Sequence, residues 1–278
     1  KDYIPRLKEI YGNRPELLAA MVEGSWDLIE GSDIVIKYSW ADKGRSIVDP
    51  RFWGNKCGVS VDPARFGDDE SVIYGWVGTK IIKQDIFGQK DLNIVAARAV
   101  AMCREIRGNW IAVGACGLGA GVIDICKSLV NEKEIAIIEV NEASQAENVN
   151  KFYNKRAEMY WEAGEYFGAD GVSIPDDKVL VGQLSSMKYT YSTGRLLIQD
   201  KEEIKKDIGR SPDRADACVI GLWALKRAPD VGWRESEQET STQKWVRRRR
   251  MEMEGLAEGY YDLGNESQET VDVYGNRI

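Results

Sequence analysis

The chain of 278 residues contains no histidine. That absence excludes a Ser-His-Asp triad, a papain-like Cys-His pair and an HEXXH zinc site. Hydrolytic chemistry, if present, must run on carboxylates, lysines, hydroxyls, thiols or backbone groups. Cysteine is sparse and odd in number (Cys57, Cys103, Cys116, Cys126 and Cys218), with no CxxC pair. A zinc framework or disulfide scaffold is therefore not expected, and a reducing compartment fits best. No run of 18 apolar residues occurs, so no membrane-spanning helix is expected. The opening KDYIPRLKEIYGNRP is not a signal peptide. It starts without a methionine, and the chain is expected to be part of a longer polypeptide. There is no GxxxxGK[ST] loop, so ATP hydrolysis of the Walker type is not carried here.

Positive charge is also in deficit: 38 basic against 45 acidic residues, a net of −7. Taken alone, that argues against a nucleic-acid binder. The deficit is uneven, however, because residues 229–278 hold 7 basic and 11 acidic side chains. A carboxylate-rich metal site would add negative charge that bound cations cancel.

What is present divides into three regions. Residues 1–52 hold one helical pattern, RPELLAAMVEGSWDLIEG, followed by SDIVIKYSWADKGRSIVDP, which reads as a short strand and a loop. This region is expected to be a connector with a modest core of its own. Residues 53–228 alternate strand and helix patterns. Strands are expected at 56–62, 70–78 and 79–88, with a hairpin at Gly78-Thr79, and then at 109–115 and 134–140. Helices are expected at 92–108, 119–132, 150–168, 176–187, 201–209 and 213–227, with a second hairpin around Thr193-Gly194. The predicted class is α/β: a mixed central sheet, three antiparallel strands then parallel ones, flanked by helices. After Pro229 the apolar periodicity collapses, and 229–278 reads as a flexible tail with a basic run at Arg247–Arg250.

Three segments could carry chemistry. Asp62 ends the first apolar strand, where rigid backbone suits a metal ligand or a general base. A turn-forming Asp before proline is the plainer account of it. Asp68 and Asp69 follow in the acidic turn VDPARFGDDES, and a chain reversal could return one of them toward Asp62. The turn VGACGLGAGVID joins a strand to a helix through Gly117, Gly119 and Gly121, which permits close backbone approach but is weak as a phosphate signature. In GRSPDRADACVIGLWAL, Ser211 can cap a helix that Pro212 begins, and Asp213 and Asp216 share a face near its positive end. Capping alone would also explain both acids.

Together PELLAAMVEGSWDLIEG, GVSVDPARFGDDESVI, GLGAGVID, NKRAEMYW and KEEIKKDIGRSPDRADA resemble, in order and spacing, the nuclease domain of the tailed-bacteriophage terminase large subunit, over about residues 10–228. That family is RNase H-like. The resemblance implies an endonuclease that cuts concatemeric double-stranded DNA during genome packaging. It implies two Mg2+ or Mn2+ ions bound by oxygen ligands, for which histidine is unnecessary. Carried over by motif, Asp62 would bridge the ions and Asp216 would ligate one. Asp213 would assist as an outer or alternate ligand, and Asp68 or Asp69 would orient a metal-bound water. The implied partners are the portal protein, the small terminase subunit and an ATPase domain of the same polypeptide. The implied location is the cytoplasm of an infected bacterium, transiently at the procapsid portal.

One family position departs. The strand before the glycine turn normally ends in Asp, and here that position is Gly114. An engineered inactivation and a natural, weaker site both account for it; either way cutting is expected to be impaired. Asp124, ten residues on, is poorly placed to substitute. Lys188, Arg195, Lys201, Lys205 and Lys206 are candidate phosphate contacts around the second hairpin, with Lys155 and Arg156 as a second set. A RuvC-like or other RNase H-fold nuclease, and a catalytically inactive module that docks DNA or the portal, are the rival readings.

Overall fold

The computed structural model describes residues 33–48, 50, 56–64, 69–88, 90–131 and 133–229. The predicted helix at 14–31, Asp68 and the tail with Arg247–Arg250 lie outside the described residues. No described helix is long and apolar enough to cross a membrane.

The order of described elements is α1 (Tyr38–Gly44), β1 (Cys57–Asp62), β2 (Glu70–Val77), β3 (Lys80–Gly88), α2 (Leu92–Glu105), β4 (Trp110–Gly114), α3 (Gly119–Leu129), β5 (Ala136–Val140), α4 (Lys155–Gly168), α5 (Lys178–Leu184), β6 (Tyr189–Ser192), β7 (Arg195–Ile198), α6 (Lys201–Ile208) and α7 (Asp213–Arg227). Five strands form one sheet in the order β3-β2-β1-β4-β5, and β6-β7 form a separate hairpin. Strands β1, β2 and β3 are antiparallel neighbours, whereas β4 and β5 run parallel to β1. This is the predicted mixed sheet.

The alternation of side chains across a strand fixes two cores. Val59 and Val61 of β1, with Ile111 and Val113 of β4, face α2 and α3. On the other face lie Trp76, Trp110 and Ala112, covered by α4 and α7. Helix α7 is apolar almost all round, Ala215 to Leu225 being buried, as a helix seated over the middle of a sheet must be. Its seat is tight. Trp76 donates from Nε1 to Ser60 Oγ at 2.9 Å inside the core. A β-carbon on Gly221 of α7 would come within 2.3 Å of that indole.

Three local expectations shift. Residues 38–44 form a helix where a loop was expected: the amide of Ala41 bonds to Lys37 O at 3.1 Å, and the Trp40 ring lies against Gly168 of α4. Ile34 bridges to Lys188, and Val35, Ile36 and Ala41 join the main core. Helix α4 starts at Lys155 and not at 150. Its cap is Asn154, whose side chain accepts from Ala157 N at 3.0 Å. Residues 151–153 instead pair with Leu196 of β7. Ser211 does not cap α7. Pro212 occupies that place, and Gln183 of α5 supplies the acceptor: its Oε1 receives the amides of Arg214 at 3.0 Å and Ala215 at 3.1 Å.

Gly221→Ala should destabilise the protein by about 1–3 kcal/mol through overpacking, outweighing alanine's better helix propensity. Chemical denaturation measures it; unchanged or higher stability would mean that α7 is not seated on Trp76 as described.

Candidate active site

Alternation places two positions on one face at the carboxyl ends of the central strands. Asp62 follows Gly58 and Ser60 on the α7 side of β1. Gly114 follows Trp110 and Ala112 on the same side of β4, so a β-carbon at 114 would point at α7 and at Asp62. It would lie 3.1 Å from Ile220 Cδ1 and 3.4 Å from Asp62 Oδ1. The turn after β4 is held open by glycine. A β-carbon on Gly119 would fall 1.7 Å from Gly114 O, and Gly117 has φ +61°.

Asp216, in the first turn of α7, is fully buried. Isolated burial of a carboxylate is prohibitive, so partners are required. Tyr160 of α4 donates to Oδ1 at 2.5 Å, and Arg156 Nη1 of α4 donates to the same oxygen at 2.8 Å. Lys201, the first residue of α6, brings Nζ to 2.7 Å from Oδ2 as an ion pair. Arg156 Nη1 also donates to Glu142 Oε2 at 2.9 Å, and Lys201 Nζ lies 3.8 Å from that oxygen. Glu142, buried two residues beyond the end of β5, thereby closes a ring of alternating charges with Asp216, Arg156 and Lys201.

Burial and neighbouring charge push the two aspartates apart. Burial raises the Asp62 carboxyl well above the usual range; Lys201 opposes the rise, and Asp216, Glu142 and Asp213 add to it. Burial would raise Asp216 as well, but Arg156, Lys201 and Tyr160 outweigh it, and Asp216 lies below its ordinary value. Two inner carboxyls are thus biased toward opposite protonation states.

The remaining candidates distribute as follows. Asp213 is buried, and its Oδ2 accepts from Glu70 N at 2.7 Å, tying α7 to the start of β2. Asp69 pairs with Lys205 at 2.9 Å. Asp124 is exposed on α3. Lys201 and Arg156, expected to face phosphates, both turn into the carboxylate cluster, and Arg156 is only 7% exposed. Lys155 lies over the Trp223 ring at 5.0 Å, and Arg195 over Tyr153 at 4.9 Å. Glu142 and Tyr160 escaped the sequence reading. Glu142 was detectable in principle, because a parallel strand's carboxyl end delivers residues to a site at that sheet edge. Tyr160 had no such signal.

Among the described residues no three acids or cysteines come close enough to hold a metal ion. Both oxygens of Asp216 already face protein donors, and position 114 offers no side chain. The residues present therefore do not fit a pair of divalent cations.

No family model and no curated protein matches the sequence. Solved structures do match. The nuclease domain of the large terminase subunit gp2 of bacterial virus Sf6 aligns with a TM-score of 0.59 at 20% identity, covering 68% of this chain and 97% of that one. A point mutant of the same domain with manganese gives 0.58 at 18%, covering 68% and 98%. The large terminase nuclease of thermophilic phage G20c with bound magnesium gives 0.50 at 12%, covering 69% and 98%.

Without metal, the two aspartates have opposite effects on stability. For Asp62, folded above its unfolded value of about 3.9, the contribution is full below that pH and is lost as pH rises through the folded value. For Asp216 it is full above about 3.9 and is lost as pH falls through the depressed folded value. In chelator, Asp62→Asn should therefore raise the neutral-pH melting temperature by about 2–4 °C per kcal/mol recovered. The gain should shrink toward pH 4. A lower melting temperature at pH 7 would contradict the assigned desolvation of Asp62. The described residues thus have the RNase H-like fold of the phage large-terminase nuclease domain.

Proposed function

We propose that this chain is the nuclease domain of a viral DNA-packaging terminase, a kind of divalent-metal-dependent endonuclease for concatemeric double-stranded DNA, and that with glycine at 114 its residues no longer fit the metal pair, so that cutting is impaired. The observation that carries the reading is the direction of the missing side chain. Position 114 faces Asp62 Oδ1 at 3.4 Å, from the strand next to β1. A carboxylate there would complete a set with Asp62 and Asp216 at one sheet edge. Without it, Lys201 and Arg156 neutralise the acids that remain. The neighbours solved with manganese and magnesium support divalent metal use. Portal protein, small terminase subunit and an ATPase domain of a longer polypeptide are the proposed partners.

The chain's own residues have definable tasks in this reading. Arg156 and Tyr160 fix Asp216 Oδ1 in one orientation. Lys201 pairs with Oδ2 and neutralises it. A second reading, an inactive module that docks DNA or the portal, is favoured by the ion pairs of Asp216 with Arg156 and Lys201.

Gly114→Asp should separate the two. Its β-carbon asks only that the Ile220 methyl give by a few tenths of an ångström. In chelator the added acid beside Asp62 should lower thermal stability by like-charge repulsion, and Mn2+ should restore it. Mn2+-dependent plasmid cleavage should rise at least about tenfold, on the scale seen when groups around a metal are altered. Equal cleavage by both proteins, with no Mn2+ signal in calorimetry, would leave the docking module as the reading.

A further inference from the structure

Two surface segments run directly into the cation ring around Asp216. Tyr153 precedes Arg156 by three residues, and Ile198, the end of β7, precedes Lys201 by three. The segments also pair with each other. Leu196 N bonds to Lys151 O at 2.8 Å and Tyr153 N to Leu196 O at 2.8 Å, which ties residues 151–153 to the β6-β7 hairpin through one parallel bridge, as a single ribbon. In a chain of net charge −7, residues 148–156 and 188–199 contain cations and no carboxylate. Arg156 and Lys155 are engaged inward, which leaves Lys151, Lys188 and Arg195 for the surface.

The aromatic content of this ribbon is as unusual as its charge. On one side Tyr191, Tyr189, Trp161 and Phe152 form an edge-on run with centroid spacings of 6.0, 5.6 and 6.4 Å, and Lys151 Nζ lies 4.8 Å from the Trp161 ring. On the other, the Arg195 guanidinium covers Tyr153. The rings at the two outer positions are open to solvent, Tyr191 at 66% and Tyr153 at 44% exposure. A surface that only contacted duplex phosphates would need the cations but not exposed rings. Exposed rings beside cations that no carboxylate among the described residues pairs with match the chemistry of unpaired bases, which stack on aromatic and guanidinium planes while the cations take the phosphates.

We infer that the ribbon formed by the β6-β7 hairpin and the bridged residues 151–153 binds an unpaired stretch of DNA strand adjoining the carboxylate cluster, with bases stacked on Tyr191 on one side of it and on the Tyr153–Arg195 pair on the other. The inference rests on the nuclease reading only for the identity of the strand. It would confine the bound strand to an approach that ends at Lys201 and Arg156. Frayed or gapped DNA would then be held more tightly than intact duplex.

The test uses the whole chain in chelator, so that cleavage and metal binding play no part. Binding is read with single-stranded oligonucleotides carrying 2-aminopurine, whose fluorescence falls on stacking, and with a blunt duplex of equal length. Tyr153→Ala and Tyr191→Ala should each weaken single-strand binding by about 5- to 150-fold, the range for loss of one base–aromatic stack. Duplex binding should change less than about twofold, and Tyr153→Phe and Tyr191→Phe should retain affinity and quenching. Equal losses for duplex and single strand would reduce the ribbon to a general phosphate surface and overturn the inference. So would unchanged affinity in both alanine variants, or no binding to either DNA. A failure of Gly114→Asp to cut would count against the nuclease reading and leave this binding result standing.

Discussion

A fully buried carboxylate on the first turn of α7 governs the arrangement around it. Asp216 cannot be ionised in the core without donors, and it recruits them from two other helices: Tyr160 and Arg156 from α4, and Lys201 from α6. Because Arg156 and Lys201 are themselves desolvated, they require a second anion, and Glu142 at the end of β5 serves both. One buried charge thus fixes the relative positions of α4, α6, α7 and β5. Replacing one member would leave an uncompensated charge, which costs more than the pair contributes. The ring is better understood as a device that specifies geometry than as a source of stability.

The same ring accounts for the site's chemistry in its present form. In an oxygen-ligand metal site the acids are balanced by cations from solution. Here position 114 is glycine, and Lys201 and Arg156 balance Asp216 and Glu142 from within. Asp62, which lacks a direct donor of this kind, is the acid whose ionisation is penalised. The two aspartates are therefore not equivalent: the neighbours of Asp216 lower its pKa, and desolvation raises that of Asp62.

Much of the fold was legible from local pattern. The apolar run CGVSVD, the hairpin glycine at Gly78 and the helix DRADACVIGLWALKR occupy the elements expected, because strand and helix periods are properties of neighbouring residues. The ends of elements were less legible where distant groups set them. Gln183 caps α7 in place of Ser211, and pairing with Leu196 delays the start of α4 to Lys155. Helix α1 depends on the packing of Trp40 against Gly168, a contact that no local pattern contains.

By itself the sequence determined that Asp62 would sit at a strand end, that Asp213 and Asp216 would share a helix start, and that no imidazole could serve the site. These follow from chain-local geometry and from composition. Only the tertiary structure decided what the long side chains do. Lys201 and Arg156 read as surface cations because their segments are polar and charged. They turn inward because a buried carboxylate lies within reach and must be neutralised. The same packing turns position 114 toward Asp62, so that the absence of one side chain there bears directly on the site.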